Sequence, residues 1–322
     1  MAKKRLIRLS CSFLLISFFL FCAVRFYYYL TDDFRLSNIR DQRLTSYKQI
    51  SFPQENLLLA RQILKQPFTY LGKGAQSYVF VSQDGNYVLK FFKFKHLRPA
   101  WWLKVLPPFS IFQSIKERSQ SKKERKLHDL FSGYELAFSR NCKNSALLFL
   151  HLSSTSFLHQ SIALTDKIGK KHLVHADQEI FLLQKKGTTL RDRLSQTLDL
   201  GQLHLTKQAI ASVLAMYVAE YQMGIYDRDH GVLDNIGFIE ESPFHLDTGK
   251  LTEDESLKEK TIYQQDLQIV IWQIEQWIQK NYPIYFDQID PFLALQYQQL
   301  TGEVWQSSLV NAEVIKNWRH RR

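Results

Sequence analysis

Two neighbouring stretches carry residue types suited to phosphate chemistry. The first is Leu71-Gly72-Lys73-Gly74-Ala75-Gln76-Ser77-Tyr78-Val79-Phe80, with its glycines set between two strand-like runs. Glycine lacks Cβ, so the backbone can approach a phosphate and present bare N–H groups to it. A plain tight hairpin would use the same residues. A dinucleotide-binding turn would need a helix next, and a strand pattern follows instead. The second stretch is Asp84-Gly85-Asn86-Tyr87-Val88-Leu89-Lys90-Phe91-Phe92. It sets Lys90 inside an apolar, β-rich run, where lysine rarely rests without a partner. A nucleotide phosphate would supply that partner; an edge strand with Lys90 facing solvent is the alternative.

Together the two stretches resemble the N-terminal lobe of the protein-kinase-like superfamily. There a glycine-rich hairpin covers ATP, and the next strand carries the lysine of Val-Ala-Ile-Lys. Here that strand reads Tyr87-Val88-Leu89-Lys90, and Ser77 stands in place of the third glycine. The resemblance implies that Gly72, Gly74, Ser77 and Lys90 bind nucleotide, with Lys90 on the α/β-phosphates. It implies a lysine-pairing glutamate on the helical stretch Gln113 to Arg140, with Glu135 preferred over Glu124. It also implies a hinge in Glu179-Ile180-Phe181-Leu182-Leu183-Gln184-Lys185-Lys186-Gly187, where backbone groups at Gln184 to Lys186 would meet adenine.

Two polar stretches extend the resemblance in order. Gly224-Ile225-Tyr226-Asp227-Arg228-Asp229-His230-Gly231-Val232-Leu233-Asp234-Asn235 follows a long helical pattern, as the family's His-Arg-Asp-(four residues)-Asn loop does. In that chemistry an aspartate orients or deprotonates the acceptor hydroxyl, and the asparagine oxygen holds magnesium. Asp229 is the first candidate for the base and Asp227 the second. The match is imperfect: Asp227 replaces the histidine, Asn235 falls six positions after Asp229 instead of five, and Asp234 falls at five. Phe244-His245-Leu246-Asp247-Thr248-Gly249 then resembles Asp-Phe-Gly in its Asp-x-Gly form, with Asp247 and Asn235 implied as magnesium ligands. There is no Ala-Pro-Glu sequence and no long activation segment after Asp247. The resemblance, over about Phe68 to Trp277, therefore points to compact kinases of sugars, lipopolysaccharide cores, aminoglycosides or lipids. The implied cofactors are ATP and Mg2+, and the acceptor is not written in the sequence. The altered loop keeps a second reading open, that of a pseudokinase which binds nucleotide without turnover. A tethered interaction protein, using the basic and aromatic insert at 98–112, is a third.

The elements that must hold these residues are readable from periodicity. Alternating apolar residues from Phe68 to Phe94, with turns at Gly72, Gly74 and Asp84-Gly85, predict strands. Ser161 to Gln184 reads as strands around a turn at Gly169-Lys170. Leu203 to Tyr221 and Leu257 to Ile278 read as long apolar-striped helices, the first closed by Gly224. The order predicts an α+β, two-lobed, protein-kinase-like fold. The expected division is an anchor at 1–30, a connector at 31–66, a β-rich lobe at 67–184 and a helical lobe at 185–322.

Lys3, Lys4, Arg5 and Arg8 precede an apolar run from Leu9 to Val24, continued after Arg25 by Phe26 to Leu30. This predicts a single-pass membrane anchor, which would make the membrane a partner; a signal peptide is the rival, without a small-x-small site after the run. Basic residues flank the run on both sides, so the side on which the domain lies is open. The chain has 322 residues, 45% hydrophobic, enough for a sizeable core, and its net charge of +11 suits anionic partners without choosing among them. No nucleic-acid recognition motif is present. Cys142 is the single cysteine outside the apolar run, which excludes a disulfide within the remainder.

Overall fold

A computed structural model of the chain describes residues 2–41, 49–98, 100, 103, 105, 107, 109–229, 231–311 and 313–315. Trp101, Trp102, Pro108 and His230 lie outside the described residues. The helices are α1 (Ala2–Leu30), α2 (Leu36–Ile39), α3 (Gln54–Ile63), α4 (Ser110–Ser139), α5 (Cys142–Ser145), α6 (Leu190–Asp199), α7 (Leu203–Gln222), α8 (Val232–Asn235), α9 (Lys260–Asn281) and α10 (Phe286–Thr301). The strands are β1 (Phe68–Lys73), β2 (Ser77–Ser82), β3 (Tyr87–Phe92), β4 (Leu147–His151), β5 (Ser161–Thr165), β6 (Lys171–His175), β7 (Phe181–Lys185), β8 (Thr188–Thr189), β9 (Ile225–Asp227), β10 (Ile236–Ile239), β11 (Ser242–His245) and β12 (Leu251–Glu253). The chain is mixed α+β, and it divides into two compact units, Met1–Arg98 with His151–Leu183, and Pro99–Leu150 with Gln184–Arg322.

In the first unit the strands run in the order β7-β3-β2-β1-β5-β6. Alternation sends Phe80, Leu89 and Phe91 into a buried aromatic layer, with Phe80 and Phe91 edge to face at 5.9 Å. β1 pairs antiparallel with β2, and its register slips between Tyr70 and Gly72. That bulge falls at the glycine-rich turn and re-aims the chain there. The Ser12–Leu30 part of α1 is exposed, and it is long and apolar enough to cross a membrane. The segment expected as a connector is not a passive link. Phe34 and Ile39 are buried, and the Phe34 ring packs against Tyr70, Tyr78 and Phe80 of the aromatic layer.

The second unit is built on α7, α9 and α10. Ile210, Leu214, Tyr217 and Tyr221 pack with Leu267, Ile271, Ile274, Ile289, Leu293 and Tyr297 in one apolar cluster. Gly224 takes a left-handed backbone, φ 68°, just past the end of α7, the position where glycine closes a helix. The stretch 99–150 groups with this unit, although it falls inside the 67–184 span expected for the β-rich lobe. The reason is close approach: a Cβ on Gly133 of α4 would lie 2.8 Å from the Thr248 carbonyl oxygen and 2.9 Å from the Gly249 carbonyl carbon. Gly187 is equally constrained, since a Cβ there would lie 2.4 Å from the Phe244 ring and 2.6 Å from the Phe238 carbonyl oxygen. Gly187→Ala should therefore destabilise the protein by about 1–3 kcal/mol through overpacking, measured as a lowered urea midpoint against wild type.

Candidate functional site

The first unit carries the glycine-rich turn and Lys90. Gly72 and Gly74 do not adopt left-handed backbone. A Cβ on Gly72 would meet nothing within 4 Å, and one on Gly74 would make only ordinary contact with Ser77 Oγ at 3.7 Å. Neither glycine is thus required by φ or by packing inside the chain. Gly74 N–H donates to the Ser77 carbonyl at 3.0 Å, and Ser77 is buried at the start of β2. Lys90 sits opposite Val79 in the β2–β3 pair and is only 8% exposed. The solvent-facing edge reading of this lysine is therefore wrong, because β3 lies inside the sheet between β2 and β7. Lys93, a residue the motif comparison passes over, is buried as well. Its ammonium donates to the Gly74 carbonyl and lies 4.8 Å from the Tyr78 ring centre.

The second unit gathers the carboxylates. Pairing of β9 with β12 sets Asp227 opposite Leu251, and pairing of β10 with β11 sets Ile236 opposite His245. Leu246 N–H donates to the Asn235 carbonyl at 2.7 Å, which brings the ends of these two hairpin strands together. Asn235 Nδ2 donates to the Asp229 carbonyl at 3.1 Å, so its amide oxygen is the atom left for a cation. Asp234 and Asn235 lie in the short helix α8, where the N–H of each donates to the Gly231 carbonyl. Asp234, at the family's spacing, turns outward and is held by Arg191 at 2.7 and 2.9 Å. Asp247 Oδ1 accepts from Tyr134 on α4 at 3.0 Å and from Gly249 N–H at 3.1 Å.

Burial separates the two candidate bases. Asp227 is 2% exposed, and its Oδ1 accepts the Asp229 N–H at 2.9 Å. Asp229 is half-buried. Behind Asp227 lies an ionic cluster that sequence reading missed. His245 Nε2 stands 3.0 and 2.9 Å from the two Glu220 oxygens, and Nδ1 stands 3.5 Å from Asp227 Oδ2. Asn141 and Asn144 also donate to Glu220, at 2.6 and 3.1 Å. Burial disfavours the imidazolium, yet Glu220 and Asp227 outweigh it and push the His245 pKa up to about 10. Burial likewise opposes the Glu220 carboxylate, and His245 with the asparagines overcomes it. A signal was present: Glu220 shares the helical stripe of Val213, Met216 and Tyr217, where a charge is out of place unless paired.

The other implied residues are placed as follows. Gln184 is buried, and its side chain donates to the Ser145 carbonyl at 2.6 Å and the His245 carbonyl at 2.9 Å. That side chain is spent on the fold, and Lys185 N–H is spent on the Ala146 carbonyl. Lys186 is exposed. Glu135 is exposed on α4, while its neighbour Tyr134 is the inward residue that reaches Asp247. Glu124 is exposed and accepts from Gln120 at 2.9 Å. Among the described residues no group of three or more His, Cys, Asp or Glu side chains could hold a metal ion. Asn235 and Asp247 nevertheless offer the oxygen donors that Mg2+ takes, and Mg2+ ordinarily completes its shell with water and substrate phosphate.

The chain resembles the protein-kinase-like superfamily in these motifs and in their order. Neither a family model nor a curated protein matches it. Among solved structures it is similar to the bifunctional kinase-methyltransferase WbdD, at 14% identity and a TM-score of 0.37, over 79% of this chain and 51% of that one. It is also similar to Rv3197 of Mycobacterium tuberculosis, solved as a complex with erythromycin, at 12% identity and a TM-score of 0.32, over 95% and 80% of the two chains. The chain spans about half the length of WbdD. Likeness at this level says nothing of activity.

Two tests follow from the charges. His245→Gln leaves Glu220 buried without its ionic partner and should cost about 3–5 kcal/mol in urea denaturation. Lys93 is held at about 8 by burial first and by Lys73 second, against an ordinary 10.5. Between these values the unfolded chain binds more protons at Lys93 than the folded one, so this residue makes stability rise as pH rises from about 8 to about 10.5. Lys93→Met should remove that slope, read as urea midpoints measured across the same range.

Proposed function

We propose that this chain is a membrane-anchored, Mg-ATP-dependent phosphotransferase of the two-lobed protein-kinase-like kind, acting on a hydroxyl acceptor. The observation that carries the reading is the grouping of Asp229, Asn235 and Asp247 in the second unit. Asn235 is bonded to the Asp229 carbonyl, and the segment entering Asp247 is bonded to Asn235. The buried Lys90, and two glycines on the same sheet that the chain itself does not require, support it from the first unit.

In this reading Lys90 binds the α/β-phosphates, and the Gly72–Ser77 turn offers backbone N–H groups to the phosphates. Asn235 and Asp247 hold Mg2+, which neutralises charge on the phosphates when bound. Asp229 is the base: the acceptor oxygen attacks the γ-phosphorus, the bond to the ADP oxygen breaks, and the hydroxyl proton passes to Asp229. Asp227 is a positioning residue, since its carboxylate already holds the Asp229 N–H and faces His245. Tyr134 orients Asp247. Adenine is met by backbone groups near Gln184 to Lys186 other than the Lys185 N–H, which the Ala146 carbonyl occupies. α1 spans the membrane, which favours a membrane-proximal sugar or lipid as acceptor.

The test uses the full chain in detergent micelles. Mg-ATP at a hundredfold excess over Kd should stabilise wild type by about 2.7 kcal/mol, read as a thermal shift. Lys90→Ala and Asp247→Ala should lose that shift. Asp229→Asn should keep it and consume ATP about 10²–10⁴-fold more slowly. No shift in wild type would refute the reading. A shift without ATP consumption would make the chain a pseudokinase.

A further inference from the structure

The chain leaving α1 turns back at once onto the glycine-rich hairpin. Thr31 is fully buried, and its hydroxyl donates to the Tyr27 carbonyl at 2.9 Å. Asp32 and Asp33 both adopt left-handed backbone, φ 51° and 61°. That conformation disfavours L-residues, although aspartate and asparagine tolerate it best. The reversal drops Phe34 between Tyr78, Phe80 and His172, with ring centres 5.2, 5.1 and 5.6 Å away. Arg35 then stacks on Tyr28 of α1 at 3.9 Å and pairs with Asp33 at 2.7 Å. The foot of the helix and the turn are thereby one packed piece.

This piece holds the phosphate-facing loop. Asp32 Oδ1 pairs with Lys73 at 3.0 Å, the residue between Gly72 and Gly74. Its Oδ2 accepts from Tyr70 of β1 at 3.0 Å and from Lys167 at 3.1 Å. The Asp33 carbonyl accepts the Tyr78 hydroxyl of β2 at 2.8 Å, and its carboxylate pairs with Lys95. Lys93 secures the Gly74 carbonyl from within the same unit. The loop is closed by its own backbone, Gly74 N–H on the Ser77 carbonyl and Lys73 paired with Tyr78 across the ladder, and these side-chain pairings add a hold on it from the α1 side.

We propose that Asp32 is a positioning residue for nucleotide binding, tying the glycine-rich loop through Lys73 to the membrane-side helix. The proposal rests on the nucleotide reading above. By holding Lys73, Asp32 keeps the loop where its N–H groups can cover the phosphates, and the foot of α1 becomes part of the phosphate-binding apparatus.

The experiment titrates the full chain in detergent micelles with Mg-ATP and, separately, with adenosine, which lacks the phosphates the loop would cover. Asp32→Asn keeps a residue that tolerates the left-handed backbone and removes the charge. It should weaken Mg-ATP binding by about two- to fivefold, the range for a partly exposed ion pair, and leave adenosine binding unchanged. Lys73→Gln should do the same, and the double variant should be no weaker than either single one, since the two act as a pair. Additive losses, an equal loss for adenosine, or tighter Mg-ATP binding in Asp32→Asn would overturn the proposal. Lys90→Ala in the same titration separates the two readings. If it loses Mg-ATP while Asp32→Asn does not, the tether falls and the nucleotide reading stands. If Lys90→Ala binds Mg-ATP as wild type does, the nucleotide reading falls, and the tether with it.

Discussion

The second unit depends on one buried ion pair. Glu220 on α7 and His245 on β11 are each almost wholly removed from water. Two charges in such a place cost several kcal/mol each to desolvate, so the pair is poor as a source of stability alone. What it supplies is geometry. Glu220 takes bonds from His245, Asn141 and Asn144, and His245 in turn faces Asp227. One carboxylate thereby fixes the end of α7, the start of α5, the strand leading into Asp247 and the strand leading into Asp229. A shift of α7 against β11 would leave a charge unpaired, and a shift of α5 would cost Glu220 two hydrogen bonds.

Burial and local backbone give neighbouring polar side chains different work. Asp227 and Asp229 are two residues apart, yet one is sealed against a histidine and the other is half-exposed. Asp234 and Asn235 are adjacent, yet a single helical turn sends one to Arg191 and the other to the Asp229 carbonyl. In the first unit three lysines diverge in the same way: Lys73 pairs with Asp32, Lys93 caps Gly74, and Lys90 is buried on β3.

Much of the architecture was legible in the chain because it follows local rules. The period-two run at Phe68–Phe94 became β1 to β3, the stripe at Leu203–Tyr221 became α7, and Gly224 closed it. The Gln113–Arg140 helix emerged as α4 and the Leu257–Ile278 helix as α9, each within a few residues. Less legible was everything set by residues far apart in sequence. The pairings that hold 31–40 on the sheet, and the approach of Gly133 to the Asp-x-Gly turn, join positions more than thirty residues apart and leave no periodic trace. Trp101 and Trp102, conspicuous in the sequence, lie outside the described residues.

The sequence by itself determined which residue types are present, their order, and the secondary structure they propagate, since backbone periodicity and glycine or proline punctuation act between near neighbours. Its resemblance to the protein-kinase-like superfamily rested on the motifs, their order and their spacing. Only the tertiary structure decided which aspartate is buried and which is open, that Gln184 serves the fold through its side chain, that Tyr134 and not Glu135 turns inward, and that Asp32 reaches Lys73. Each of these depends on burial and on charge pairing across long loops, and a side chain's environment is created only when distant segments close around it.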